Sequence, residues 1–157
     1  MIASQLVAVG CVSSSHVQKL LPYINETFTR YEISSPANQL CFLAQVSHES
    51  GGFYYTEELA SGAAYEGRKD LGNTTPGDGV RFKGRGLIQI TGRTNYQAVG
   101  EVLQVDLINN PLLLGGKNVD ACSPDQLRYA ALSAGWFWDK SRLNSIADKI
   151  DLRKPID

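Results

Sequence analysis

Two serine-proline pairs constrain the fold of this chain more than any other feature, because each marks the start of a long helix. Ser35-Pro36 combines an N-cap residue with proline at the first helical position. Ser123-Pro124 repeats the pair, and Gln126 follows three residues after the cap, where it completes a capping box. We therefore predict one helix from Ser35 to Glu49 and a second that begins at Ser123.

Apolar residues follow both start signals at helical spacing. In the first helix they cover more than one face, which is typical of a helix buried in the middle of a domain. In the second helix they form one stripe, which predicts a second core helix. The first helix carries Leu40, Leu43, Ala44 and Ser47 on one face and Phe42 and Val46 on another, and the stripe of the second is Leu127, Ala130, Ala131, Ala134 and Trp138.

Shorter elements surround these two helices in the predicted layout. Gly72 to Gly79 has the composition of a loop, and Val80 to Thr91 predicts an extended strand. The chain is therefore expected to be α+β and predominantly α-helical, with a small β element beside a cleft. The shorter helices are predicted at Ser4 to Val9, at Ser14 to Tyr31 with a break near Pro22, at Gly92 to Leu103 and at Ser141 to Ile150.

Length and charge exclude several classes of function. The 157 residues fit one domain, and 15 basic against 16 acidic residues give a net charge of −1, which argues against capture of nucleic acid or of an anionic membrane. The segment from Met1 to Val12 lacks Lys and Arg and is too short for a secretory signal, so we predict a first helix there. Cys11, Cys41 and Cys122 are an odd, widely spaced set, which predicts reduced thiols.

Two glutamates are the candidate catalytic groups. Glu49 ends the first predicted helix just before Gly51-Gly52, and partial desolvation there is expected to raise the pKa of its carboxyl. Glu58 is expected to stay solvated and ionised, although Glu57 beside it makes an ordinary charged turn the alternative. A protonated and an ionised carboxyl group that flank a sugar linkage are the minimum equipment for glycoside hydrolysis.

The sequence lacks the residues that a zinc-protease site or a phosphate-binding loop would require. Position 52 is Gly52, so the second histidine of a zinc-protease helix is missing after His48-Glu49, and no metal or cofactor is predicted. Gly84-Arg85-Gly86 is too short for a phosphate loop. Strand alternation would turn Gln89 and Thr91 outward toward a sugar or a water, with Ile88 and Ile90 in the core. Trp136-Phe137-Trp138 fits either a sugar-stacking platform or, more commonly, core packing.

Several motifs together resemble the glycoside hydrolase family 19 group, whose plant chitinases and phage endolysins share a lysozyme-like fold. The similarity covers about residues 36 to 140 and is closer to the phage and prophage branch than to the plant branch. The matching segments are Phe42-Leu43-Ala44-Gln45, His48-Glu49-Ser50-Gly51-Gly52, Glu58-Leu59-Ala60-Ser61-Gly62, Tyr65-Glu66-Gly67-Arg68, Asp70-Leu71-Gly72-Asn73, Phe82-Lys83-Gly84-Arg85-Gly86-Leu87-Ile88-Gln89-Ile90-Thr91, Asn95-Tyr96 and Gly135-Trp136-Phe137-Trp138.

The resemblance assigns roles to individual positions. It implies a lysozyme-like fold in which Glu49 is the general acid and Glu58 is the general base that activates a water, with inversion at the anomeric carbon. Thr91 matches the position that orients this water. The positions implied in substrate binding are Gln89 and Asn95, which match residues that hydrogen-bond the sugar, Tyr96 as a neighbour in the cleft, and His48, which precedes the acid and would support it.

The resulting hypothesis is a peptidoglycan-cleaving endolysin of the muramidase type, a bacteriolytic enzyme of phage or prophage origin. It would act as a monomer and accumulate in the host cytoplasm until a holin gives it access to the cell wall. A chitinase with the same mechanism is the first alternative. The second is an inactive wall-binding remnant, since the chain ends at Asp157, before the Asn-Gly-Gly segment with which family members usually close the cleft.

Overall fold

The computed structural model describes residues 3–8, 10 and 13–152 and confirms a predominantly helical fold. None of the helices within these residues has the length and apolar character needed to cross a bilayer. The α-helices are α1 Ala3–Ala8, α2 Ser14–Arg30, α3 Pro36–Glu49, α4 Asp78–Arg81, α5 Arg93–Leu103, α6 Pro124–Lys140 and α7 Leu143–Ala147. Short 3₁₀ turns span Ala63–Tyr65, Lys69–Leu71, Pro111–Leu114 and Val119–Ala121.

Helix α6 is the central helix of the core. Its predicted capping box is present, with the Ser123 side chain and the Gln126 side chain each bonded to the other residue's backbone N–H. Helix α2 packs along α6, and Gly135 allows the close approach, since a Cβ there would lie 2.3 Å from the Tyr31 ring. The buried residues of α6 are Leu127, Ala130, Ala131, Leu132, Ser133, Ala134, Gly135, Trp136 and Trp138.

Helix α3 covers one side of this core, so the prediction that it is buried in the middle of the domain was wrong. It begins at Pro36 with Ser35 as its N-cap, as predicted. Phe42, Leu43 and Val46 reach the core, whereas Leu40 is 43% exposed. Ala44, on the same predicted face as Leu40, is exposed as well.

Helix α4 was not predicted, since its residues fall where a loop and a strand were expected. The other helices match their predicted positions to within a few residues, apart from two differences. Helix α7 is shorter than predicted, and α2 runs unbroken through Pro22. Pro22 is exposed, while Leu20 and Ile24 on the opposite side of α2 are completely buried. Packing of this buried side outweighs the backbone hydrogen bond that proline removes.

The segment from Val80 to Thr91 is not the predicted strand. After α4 it forms a tight loop, closed by two backbone hydrogen bonds between Arg85 and Ile90 of 3.0 and 2.8 Å. Gly86 and Gln89 have φ of 83° and 60°, which interrupts the alternation of a strand. Leu87 is therefore completely buried, although the strand pattern placed it on the outer face. The β element consists of single residue pairs, Tyr55 with Asn118, Glu57 with Arg85 and Arg85 with Ile90.

Two of the three cysteines lie in the described residues, and both are free thiols as predicted. Burial raises the pKa of Cys41. The sulfur of Cys122 accepts a hydrogen bond of 3.1 Å from the backbone N–H of Gly116. Cys11 lies outside the described residues.

Candidate active site

Glu58 is held against the tight loop by its backbone, with its N–H donating to the carbonyl of Gly84 at 3.0 Å. Glu58 is half-buried, so it is less exposed to solvent than expected. Oε2 accepts a hydrogen bond of 2.9 Å from the hydroxyl of Tyr65. Oε1 is enclosed and has no hydrogen-bond partner among the described residues.

Three of the predicted site residues converge at Gly84. A Cβ at this position would lie 2.7 Å from Gln89 Oε1, 3.0 Å from Glu58 Oε2 and 3.3 Å from Thr91 Oγ1. A side chain at position 84 would therefore displace the polar atoms of the site. The neighbouring Gly86 has a different role, since it lets the loop pack on α6. Its φ of 83° favours glycine, and a Cβ at this position would lie only 2.6 Å from Ser133 Oγ.

Thr91 and Asn95 connect this cluster to the start of α5. The Thr91 hydroxyl donates to the carbonyl of Gln89 at 2.9 Å, and the amide of Asn95 donates to the carbonyl of Thr91 at 2.9 Å. Gln89, Thr91 and Asn95 share the wall of a surface cavity of about 360 Å³. The structure thus brings these three residues together, although the strand from which Gln89 and Thr91 were to project does not form.

Aromatic residues of α6 form the opposite wall of this cavity. Trp136 and Phe137 both line it. Phe137 is 37% exposed, whereas Trp136 and Trp138 are 8% and 5% exposed and belong to the core. The Trp136-Phe137-Trp138 run is thus mainly core, with Phe137 as its one well exposed ring.

The structure separates the roles of Glu57 and Glu58. Glu57 forms ion pairs with Lys83 Nζ at 2.9 Å and with Arg85 Nε at 2.7 Å. Burial alone would raise the pKa of Glu57, but the hydrogen bonds from Lys83 and Arg85 outweigh it, and the pKa is lowered. Both carboxylate oxygens of Glu57 are engaged, so Glu57 stabilises the loop, and Glu58 is the carboxylate that faces Gln89 and Thr91.

Tyr96 is completely buried and offers no surface to a substrate, so its prediction as a substrate-binding residue was wrong. Burial raises the pKa of its hydroxyl. The hydroxyl donates to the carbonyl of Lys83 at 2.6 Å and accepts from Arg85 Nη1 at 3.1 Å. Helical spacing with Val99 and Leu103 on the buried side of α5 is the sequence signal that indicates this core position.

Glu49 and His48 lie at the exposed end of α3. Glu49 is the last residue of the helix, and its Oε1 accepts a hydrogen bond of 3.1 Å from the amide of Gln45. Its side chain is exposed, so the expected desolvation of Glu49 by the helix end was wrong. His48 is exposed as well. The three atoms nearest to the Cβ position of Gly84 belong to other side chains, so neither Glu49 nor His48 is part of the cluster at Gly84.

Tyr65 is a site residue that the sequence analysis did not single out. Tyr65 ends the 3₁₀ turn Ala63–Tyr65, and its hydroxyl donates to Glu58. The one sequence signal for this residue was its place in the family motif Tyr65-Glu66-Gly67-Arg68. The described residues contain no group of three His, Cys, Asp or Glu side chains that would hold a metal ion. Glu58 has the hydroxyl of Thr91 and the amide of Gln89 as neighbours, and these two residues in turn line the open cavity.

Substitution of Gly84 tests this geometry. We expect Gly84→Ala to reduce the rate of glycoside hydrolysis roughly 10-fold, because the new methyl group displaces Glu58, Gln89 and Thr91 from their shared position. The free energy of unfolding should change by less than about 1 kcal/mol, since the displaced atoms are ends of flexible side chains. Rate assays and urea unfolding measure the two effects. Gly77→Ala is the control for rate only: its φ of 89° makes an alanine there costly for stability, but nothing lies within 4 Å of its Cβ position and no site residue is displaced. Equal rates in the two variants would contradict the geometry.

The fold resembles that of a solved chitinase. Chitinase C from Streptomyces griseus superposes with a TM-score of 0.64 over 87% of this chain and 65% of that chain, at 24% sequence identity. Among relatives of known sequence, an endochitinase of Arabidopsis thaliana is 36% identical over 117 residues, which cover 74% of this chain and 37% of the plant protein. The chain thus spans well under half the length of that endochitinase.

Two further matches define the family. A glycosyl hydrolase family 19 domain-containing protein of Haemophilus influenzae is 31% identical over 142 residues, which cover 69% of this chain and 66% of the relative. The family model described as class I chitinase matches residues 34–145. This match includes Glu49, Glu58 and the loop that carries Gln89 and Thr91. The chain therefore belongs to glycoside hydrolase family 19, the family of the class I chitinases.

Proposed function

We propose that this protein is a glycoside hydrolase that uses two carboxyl groups of its own to cleave a polysaccharide of N-acetylated sugars. The convergence of Glu58, Gln89 and Thr91 at Gly84 is the observation that carries the proposal. It brings a carboxylate, an amide and a hydroxyl side by side next to Gly84. Membership of family 19 supports the same reaction.

In the proposed reaction, Glu58 acts as the general base. It takes a proton from a water held beside Thr91, and the oxygen of this water forms the new bond to the anomeric carbon. The bond from this carbon to the leaving oxygen breaks, and Glu49 donates a proton to that oxygen. Attack by water from the face opposite the leaving group gives inversion.

The exposure of Glu49 has a consequence for this mechanism. A general acid must hold its proton until the leaving oxygen needs it, and a dry environment favours the protonated form. The end of α3 does not supply this environment in the free protein, since the Glu49 side chain is exposed. We propose that the bound sugar chain covers Glu49 and provides the desolvation.

We propose bacterial peptidoglycan as the substrate, cut at a muramidase-type linkage in the manner of a phage endolysin. The support is the similarity of the motifs to the phage and prophage branch and the match to a bacterial family 19 protein. In this proposal the protein acts as a monomer from the host cytoplasm and reaches the wall after membrane permeabilisation. Chitin is the second candidate, because the plant relative and the solved structure are named as chitinases.

Two substrates distinguish the candidates. Purified peptidoglycan and chitin oligomers are incubated with the protein, and new reducing ends are measured on each, with mass spectrometry of the released fragments. Products from peptidoglycan alone support the endolysin proposal, and products from chitin alone support the chitinase. Sedimentation with peptidoglycan without new reducing ends on either substrate would identify an inactive wall-binding protein and refute hydrolysis.

A further inference from the structure

The hydroxyl of Tyr65 donates to Glu58 Oε2, the same oxygen that lies beside Gln89 and Thr91 at Gly84. We infer that Tyr65 is a positioning residue for Glu58, which fixes its Oε2 at this shared position. The inference rests on the proposed function, because it assigns Glu58 the role of the base. In this role Tyr65 contacts the general base and does not bind the sugar.

Glu58 needs such a contact because charge does not fix its orientation. The nearby cations Lys83 and Arg85 form their ion pairs with Glu57. Lys83 also donates to the backbone carbonyl of Glu58, at 3.2 Å, rather than to its carboxylate. Among the described residues Oε1 of Glu58 has no partner, so the bond from Tyr65 is the hydrogen bond that holds this carboxylate.

Tyr65 is itself held in place by its backbone. It ends the 3₁₀ turn that follows Gly62, whose φ is 86° and whose Cβ position would lie 2.5 Å from the carbonyl oxygen of Gly79. The side chain of Asn73, which is completely buried, donates to the carbonyl of Tyr65 at 3.0 Å and accepts from the backbone N–H of Arg93 at 2.9 Å. The turn is thereby connected to the start of α5, next to Thr91.

A neutral phenol suits this task. It donates a hydrogen bond to an ionised carboxylate without adding a positive charge that would weaken a general base. The hydrogen bond to Glu58 raises the pKa of Tyr65, with a further contribution from burial. The hydroxyl therefore stays protonated, and able to donate, at neutral pH.

Removal of this hydroxyl is the first test. Tyr65→Phe keeps the ring and should lower kcat about 10-fold while KM changes less than about 2-fold, because the base is misplaced and sugar contacts remain. The substrate is whichever of peptidoglycan or chitin oligomers the wild type cleaves. Tyr129→Phe, a half-buried tyrosine that packs against Arg128, is the matched control and should leave kcat unchanged. A wild-type kcat for Tyr65→Phe would overturn the inference, as would equal losses in both variants.

A second test does not depend on hydrolysis. The ionisation of Tyr65 is followed by NMR of ¹³C-labelled tyrosine ring carbons, with Tyr65→Phe to assign the signal. In Glu58→Gln the pKa of Tyr65 should move down toward its ordinary value, because the negatively charged acceptor of its hydrogen bond is gone. An unchanged pKa would overturn the inference. A protein that hydrolyses neither substrate refutes the proposed function, and the titration still decides whether Tyr65 holds Glu58.

Discussion

Glu49→Gln is expected to lower the rate of hydrolysis on the order of 10²-fold or more, because an amide cannot give a proton to the leaving oxygen. The substitution keeps the shape of the side chain and its place at the end of α3. Glu49 is exposed and has no ion pair among the described residues, so stability should be unaffected. Initial rates and thermal unfolding of the variant measure both effects.

Helix α5 offers a closely matched control for this variant. Glu101 is also an exposed glutamate that accepts a hydrogen bond from a glutamine one turn earlier, 3.0 Å from Gln97 compared with 3.1 Å from Gln45 to Glu49. Glu101→Gln removes the same charge from the same local geometry and should retain the wild-type rate. If Glu49→Gln remains within about two-fold of the wild type, Glu49 is not the general acid.

Asp78→Asn should lower the free energy of unfolding by about 3 kcal/mol at neutral pH, because it breaks a buried ion pair. The Asp78 side chain is 2% exposed and receives two hydrogen bonds from Arg93, of 2.8 Å and 2.6 Å. It also accepts from the backbone N–H of Thr75 at 3.1 Å. The variant leaves the charge of Arg93, whose side chain is 29% exposed, against a buried neutral amide.

The control is an exposed pair with the same two-point geometry. Arg68 Nε and Nη2 donate to the two carboxylate oxygens of Asp70, whose side chain is 60% exposed. Since solvent screens this pair, Asp70→Asn should unfold at nearly the same urea concentration as the wild type. Equal urea midpoints for Asp78→Asn and the wild type would contradict the assignment of Asp78 and Arg93 as a stabilising pair.

The stability difference between wild type and Asp78→Asn should depend on pH. The hydrogen bond from Arg93 lowers the pKa of Asp78 in the folded protein, and burial only partly opposes it. The ionised carboxyl therefore stabilises the folded state above the pKa of an unfolded aspartate, about 3.9, and this contribution is lost as pH falls through the lower folded pKa. Urea midpoints should differ by a constant amount from pH 5 to 8 and converge below about pH 4.

Much of the helical framework could be predicted because its signals are local. The Ser35 cap and the capping box of Ser123 and Gln126 act within one turn, and both helices begin where these signals stand. The motif that contains Gln89 and Thr91 also identified two members of the site. These predictions did not depend on the position of any distant residue.

Two incorrect predictions have different causes. The segment from Val80 to Thr91 has a strand-like pattern, but it folds into a loop because Gly86 and Gln89 adopt positive φ and Leu87 packs in the core. Tyr96 matched a cleft residue by motif, yet it lies on the buried side of α5 with Val99 and Leu103, where its hydroxyl bonds Arg85 and Lys83. In the loop, contacts with the core outweighed the local pattern, whereas for Tyr96 the local helical pattern was correct and the motif was not.

The amino-acid sequence alone determined where the main helices start, the family resemblance and which carboxylates to consider. Only the tertiary structure decided that Glu57 is neutralised by Lys83 and Arg85 while Glu58 faces Gln89 and Thr91. Glu57 and Glu58 have the same side chain and nearly the same sequence neighbours, so no local sequence pattern distinguishes their roles. What separates them is which distant side chains each carboxylate meets, and that is fixed when the loop after α4 closes and packs on α6.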